Sequence, residues 1–250
     1  MLDITDSIDS PTFGNIAANR PASLDETGSG TPAADSSWNT WDLIALSELS
    51  TFFQAGELVT RLNDMPESLY VVGSGAVKSF YLDAQGNECI TAFYLPGEIF
   101  GLEGFNRTNL SFAHQMLKTG YLYRIPYREI FHALNKDVDC QKYILQLLSH
   151  EMFEAQRMSV INGHYTAEVR LAYFLLNLWQ RLNPKEKQGA VFSLPMTRVA
   201  ISNFLGLTPE TISRCFALFK RNNWIEAAGS KIKLTDIESL SHLVTGIPTR

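Results

Sequence analysis

Residues 196–221 read MTRVAISNFLGLTPETISRCFALFKR. Two short amphipathic segments meet at Gly206-Leu207-Thr208, and this spacing predicts a helix-turn-helix. Thr197 is a good N-cap for the first helix, and Gly206 suits the position just past its end. Ser202 is small enough for the second helix to cross close by. Thr208 caps that second helix, and Pro209 falls in its first turn, where a missing N–H costs nothing. At about 100° per residue, Ile212, Cys215, Phe216 and Phe219 share one apolar face. Glu210, Ser213, Arg214, Ala217 and Arg221 share the opposite, polar face.

That polar face has the chemistry of a major-groove reader. Arg214 can donate bidentately to guanine O6 and N7, Glu210 can accept from cytosine N4, and Ser213 can meet either kind of partner. Lys220 and Arg221 are placed for phosphates, which set register rather than sequence. Thr197, Arg198 and Thr208, at the helix starts, are further phosphate candidates. Downstream, 224–226 and 230–234 read as strands around Ala228-Gly229. This predicts a wing whose Lys231 and Lys233 reach phosphate. The competing reading is a capped helix pair packed inside some other fold. Agreement of caps, glycine, small residue, polar face and hairpin favours DNA.

These residues carry a resemblance. MTRVAISNFLGLTPETISR is similar to the C-terminal helix-turn-helix of the CRP/FNR family of bacterial transcription regulators, in its FNR branch. Residues 67–78 (ESLYVVGSGAVK) resemble the start of that family's β-roll, and residues 92–101 (AFYLPGEIFG) resemble its glycine turn. Three motifs in the family's order span about residues 42–237. The resemblance implies a homodimer reading a palindrome. Glu210, Ser213 and Arg214 stand where the FNR branch has its base readers. The cyclic-AMP-responsive branch has a further arginine just before that glutamate, and here the position is Pro209. The implied site is TTGAT-N4-ATCAA rather than one built on TGTGA.

The chain of 250 residues is long enough for two modest domains. Its net charge of −5 looks wrong for a DNA binder. Residues 1–40 explain it, with six acids against Arg20. Residues 197–236 carry six basic and three acidic groups, so positive charge gathers at the reading head. No apolar run reaches the roughly 18 residues of a membrane span, and no secretory signal opens the chain. A cytoplasmic protein with no membrane partner is expected.

The expected fold is α+β: a β-roll (jelly roll) of the cyclic-nucleotide-binding kind, a long dimerisation helix and a C-terminal winged helix-turn-helix. The boundaries are a disordered acidic tail over 1–37, a β-roll over 38–135, the dimer helix over 136–162 and the DNA-binding domain over 163–250. Strands are expected over 68–72, 76–82, 89–95 and 120–125, with a hairpin at 83–87. A short helix is expected near Tyr127, an amphipathic helix over 168–181 and an exposed loop over 183–189. In the long helix, Leu145, Leu148, Met152, Ala155, Ser159 and Asn162 recur every 3.5 residues. That stripe could pack on its own barrel; the resemblance makes it the seam of a dimer that forms without an activating ligand.

What the protein senses is less legible. FNR-type oxygen sensors hold a [4Fe–4S] cluster on an N-terminal cysteine group plus one barrel cysteine. This chain has three cysteines, at 89, 140 and 215, and none earlier. Cluster iron usually needs four thiolates, and Tyr123 stands at the barrel position, so no cluster is expected. Cyclic nucleotide is disfavoured. The family's pocket needs an acid after a glycine, matched by Gly97-Glu98, then an Arg-Ser or Arg-Thr pair. Residues 109–113 read NLSFA, and Arg107 is the nearest substitute. Haem is disfavoured too, because His114, His132, His150 and His164 show no tight ligand spacing, and His242 belongs to the reading domain. Cys215 reads as a buried hydrophobe or, alternatively, as a redox switch. The small-molecule effector stays unassigned.

By the same resemblance, Leu82, Asp83, Gly86 and Asn87 lie where the FNR branch meets the sigma subunit of RNA polymerase. Ser74, Thr119 and Tyr121 lie where it meets the alpha subunit. Ordinary turn and strand surface is the alternative reading. No paired catalytic constellation, phosphate loop or metal-ligand spacing points to an enzyme.

Overall fold

A computed structural model describes residues 38–106, 108–182, 191–245 and 247. The expected acidic tail, the loop over 183–189 and Arg107 lie outside them. The ordered chain opens with helix α1 (Thr40–Ala45), whose start is fixed by a capping box between Asn39 and Asp42. Eight strands follow: β1 (Leu49–Phe53), β2 (Leu58–Thr60), β3 (Ser68–Val72), β4 (Ala76–Leu82), β5 (Glu88–Tyr94), β6 (Ile99–Phe100), β7 (Ala113–Lys118) and β8 (Gly120–Pro126). They form two antiparallel four-stranded sheets, ordered β1-β8-β3-β6 and β2-β7-β4-β5. Val72, Val77, Phe100, Met116 and Leu122 fill the space between the sheets. This is the expected β-roll, with strand limits shifted by a residue at β5 and β8.

A 3₁₀ turn (Leu102–Asn106) leads into β7, and α2 (Tyr127–Leu134) follows β8. The long helix α3 runs Val138–His164, capped by the Asp137 carboxylate, which accepts from the Asp139 and Cys140 amides. It begins two residues later than periodicity alone predicts, because Asp137 takes the cap. Cys140, Tyr143, Ile144 and Leu147 turn inward against Leu69, Val71 and Ile125 of the roll.

The reading domain contains α4 (Ala167–Leu182), β9 (Val191–Ser193), α5 (Arg198–Phe204), α6 (Pro209–Arg221), β10 (Ile225–Ala228), β11 (Lys231–Leu234) and α7 (Ile237–Leu243). The wing is a three-stranded sheet, β10-β11-β9, not a plain hairpin. Sequence pattern missed β9 because three residues carry too little alternation, and it missed α7. The two parts of the chain also share a core. Ile90, Phe93 and Leu95 of the roll belong to one apolar cluster with Phe174, Ile201 and Phe216 of the reading domain.

Candidate nucleic-acid interface

Helix α5 begins where Thr197 Oγ1 accepts from the Ala200 amide at 3.1 Å. It ends at Gly206, whose φ of +62° suits a residue without a Cβ. The Leu207 amide donates to Ser202 O at 2.9 Å, closing the turn against buried Ser202. Helix α6 then starts with Thr208 Oγ1 accepting from the Thr211 amide at 3.2 Å and Pro209 in the first turn. Its apolar face (Ile212, Cys215, Phe216 and Phe219) is buried, as the angular count predicts.

Glu210, Ser213, Arg214, Ala217, Lys220 and Arg221 are all exposed on the other face. Arg214 Nη2 donates to Thr211 Oγ1 at 3.1 Å, which steadies a long side chain while leaving most of its donors outward. Ser213 Oγ donates to Pro209 O at 2.9 Å and keeps its lone pairs for an incoming donor. Glu210 carries negative charge at the helix start, where the helix dipole favours it.

Thr197, Arg198 and Thr208 are exposed around this face, and the Arg198 guanidinium lies 4.5 Å from the Phe216 ring centroid. Lys231 is exposed on the wing. Lys233 is half-buried and donates to Glu226 Oε1 at 3.1 Å, so its charge is already partly matched. The arrangement is an exposed polar surface with two hydrogen-bonding side chains and a carboxylate, bordered by cations.

Leu145, Leu148, Met152, Ala155 and Ser159 form one exposed stripe along α3. Asn162 differs: its Nδ2 donates to Phe204 O of the same chain at 3.2 Å. Sequence period placed it in the seam, but a tertiary hydrogen bond turns it toward the reading domain.

Ser74, Thr119 and Tyr121 are brought together at one end of the roll. The Tyr121 amide donates to Ser74 Oγ at 3.2 Å, and Thr119 Oγ1 accepts from the Ala55 amide at 3.0 Å. The hairpin tip is held separately. Asp83 Oδ1 accepts from the Gln85 and Asn87 amides, and Gly86 takes a φ of +83°. The Asn87 side-chain amide, donating to Asp83 Oδ2 at 3.0 Å, and then these backbone amides hold the Asp83 carboxyl below the usual range.

A cavity of about 530 Å³ opens in the roll, lined by Thr60, Tyr70, Leu110, His114, Arg124 and Tyr127, among others. Its guanidinium, on Arg124, is committed to Ser68 Oγ and Glu67, and Glu67 and Asp64 line the same wall. Glu98, the acid matched to the nucleotide pocket, does not line it. Its carboxylate is gripped by Arg181 of α4, with Nε and Nη2 at 2.7 and 2.6 Å. Sequence pattern could not show this because the partners lie 83 residues apart. His114 is 1% exposed, accepts from or donates to Thr60 Oγ1 through Nδ1, and is held near pKa 3 by burial. Glu151 on α3 is pushed up to about 7, first by burial and then by the Glu98 and Glu103 charges.

Cys140 and Cys215 are buried, and burial raises both thiols, Cys140 to about 11. A thiol kept protonated and covered is a poor nucleophile. Among the described residues, no group of three or more His, Cys, Asp or Glu side chains is placed to hold a metal ion. No described helix is long and apolar enough to cross a membrane.

Residues 169–243 match the Crp-like helix-turn-helix domain, and residues 50–137 match the cyclic nucleotide-binding domain. The chain is 33% identical to the transcriptional activator protein Anr of Pseudomonas protegens over 213 residues, 84% of this chain and 87% of that one. It is 35% identical to the fumarate and nitrate reduction regulatory protein of Yersinia pestis over 191 residues, 76% of each chain. Among solved structures, FixK2 from Bradyrhizobium japonicum superposes with a TM-score of 0.73 at 26% identity, covering 80% of this chain and 98% of that one.

Proposed function

Because this chain belongs to the CRP/FNR family of transcription regulators, we propose that it is a homodimeric activator that reads a TTGAT-N4-ATCAA palindrome. The observation carrying this reading is the exposed row of Glu210, Ser213 and Arg214 on a capped, otherwise buried helix. Arg214 reads guanine, Glu210 reads the paired cytosine, and Pro209 keeps an additional arginine out of the half-site. Dimerisation through the α3 stripe places two such helices on one face of the duplex, about one helical turn apart.

The protein works without an iron–sulfur cluster, since three thiols, two of them buried, fall short of the usual four ligands. It takes neither nucleotide nor haem: the cavity offers a phosphate no uncommitted cation among the described residues, and its histidine is 1% exposed with Nε2 facing Glu103 Oε1 at 3.5 Å. Once on DNA, the Ser74–Thr119–Tyr121 cluster and the tip at Leu82, Asp83, Gly86 and Asn87 contact RNA polymerase. The supporting features are the exposure of Leu82, Gly86, Asn87, Thr119 and Tyr121, beside half-buried Ser74 and Asp83, and their likeness to the FNR branch.

The test is fluorescence anisotropy with protein purified in air, with no added effector. Nanomolar, salt-sensitive binding to the palindrome, by protein that carries no stoichiometric iron or haem, is the expected result. Binding that appears only after iron–sulfur reconstitution, or only with an added nucleotide, overturns the effector-free part. Absence of preference over a scrambled duplex overturns the site.

A further inference from the structure

Strand β5 lies at the edge of its sheet, so one side of it has no neighbouring strand. Such an edge leaves backbone donors and acceptors without partners. Asn203, on the first helix of the helix-turn-helix, fills part of that edge. The Ile90 amide donates to Asn203 Oδ1 at 2.7 Å, and Asn203 Nδ2 donates to Glu88 O at 2.7 Å. A side-chain amide with one donor and one acceptor thus stands in for a strand. The partners are more than 110 residues apart in sequence.

Two further contacts reinforce the same junction. Arg181 of α4 holds Glu98 through two nitrogens and also donates to Phe93 O at 2.6 Å. The Phe93 ring packs against Phe204 of α5 at 5.1 Å and Phe174 of α4 at 6.2 Å between centroids. On the other side of α5, Asn162 and Arg170 donate to Phe204 O and Leu205 O. The end of α5 is therefore held from three directions, by the roll, by α3 and by α4. With α5 docked, Glu210, Ser213 and Arg214 remain exposed. The docked arrangement does not cover the reading face.

We propose that Asn203, with Arg181, is a positioning residue for DNA recognition: its grip on the β5 edge fixes the angle and separation of the two recognition helices and so selects the operator spacing. This rests on the dimeric reading above. A palindrome rewards both helices only if their separation matches about one helical turn. A rigid junction concentrates the second helix over its half-site, whereas a loose one spreads it over several spacings. Asn203 therefore governs discrimination among spacers rather than affinity for a single half-site.

The experiment measures wild type, Asn203→Ala and Arg181→Lys on duplexes holding one half-site, or two half-sites with spacers of three to six base pairs. Thermal melting and light scattering are run on each. Wild type should favour one spacer sharply. Asn203→Ala, still dimeric, should lose about tenfold on that spacer while its half-site affinity stays within twofold, and Arg181→Lys should move the same way. Folded, dimeric Asn203→Ala with the wild-type spacer profile overturns the proposal. Should that variant fail to fold, hydrogen exchange on the wild-type chain decides. An Ile90 amide protected as strongly as interior strand amides supports the clamp, and one exchanging at the rate of an open edge overturns it. Wild type that is monomeric or indifferent to the palindrome defeats the dimeric reading itself, a result seen before any variant is compared.

Discussion

Replacing Leu145 by alanine should weaken dimerisation while leaving the protomer folded. Leu145 is 65% exposed in the isolated chain, Met152 is 60% and Leu148 is 38%, although all three lie on a helix whose other face is core. Burying a leucine fully is worth about 1.5–3 kcal/mol. The two-thirds that a partner must cover gives about 1–2 kcal/mol per protomer on that scale. A two-fold interface counts the change twice, or about 2–4 kcal/mol per dimer, which raises the dissociation constant roughly 30- to 1,000-fold. Sedimentation equilibrium across nanomolar to micromolar protein reads that shift directly. Leu147, one residue on, is 5% exposed and packs in its own chain. Leu147→Ala should instead lower the unfolding free energy by about 2–5 kcal/mol with little direct effect on association. An unchanged association constant in folded Leu145→Ala would refute the seam.

Other outcomes follow from the same geometry. Burial holds His114 near 3, below the ordinary 6.5, so between those values the native state binds fewer protons than the unfolded chain. Its contribution is complete above pH 6.5 and is lost as pH falls, by up to about 1.4 kcal/mol per pH unit. Urea melts of His114→Gln should show a correspondingly shallower acid limb; an identical limb argues against a neutral buried imidazole. Cys215 is covered and its thiol raised by burial, so Cys215→Ser and wild type should lose the same share of DNA binding to mild peroxide. A variant resistant to peroxide beside a sensitive wild type would reinstate the redox switch. Gly86 sits at φ +83° with open space around it, so Gly86→Ala strains only the hairpin tip. Transcription from a target promoter should drop further than operator binding, and equal losses would remove the tip from the polymerase contact.

Local chemistry made the reading head legible. Thr197, Gly206, Thr208 and Pro209 each act within four residues of their own position, and the amphipathic period of α6 separates Phe216 and Phe219 from Ser213 and Arg214. The β-roll was legible from short runs broken by glycine, with Asp83 and Gly86 marking one hairpin. Long-range polar contacts were not. Nothing near Asn203 in sequence announces Glu88 and Ile90, and Arg181 looks like an ordinary end-of-helix cation until Glu98 folds against it. Asn162 fitted the heptad period and was assigned by it, yet a carbonyl on another helix claims its side chain. Glu98 shows the same limit: sequence supplies the carboxylate, and the fold supplies Arg181 as its partner.

The central claim is that the exposed face of α6 reads an FNR-type half-site. The most direct measurement compares wild type and Arg214→Ala on the TTGAT-N4-ATCAA palindrome and on a palindrome with each half-site guanine replaced. Wild type should lose about 1–3 kcal/mol per replaced contact, whereas Arg214→Ala should bind both duplexes weakly and nearly equally. If Arg214→Ala still prefers the guanine-containing duplex as strongly as wild type does, that guanine is read elsewhere and the assignment of the reading head is wrong.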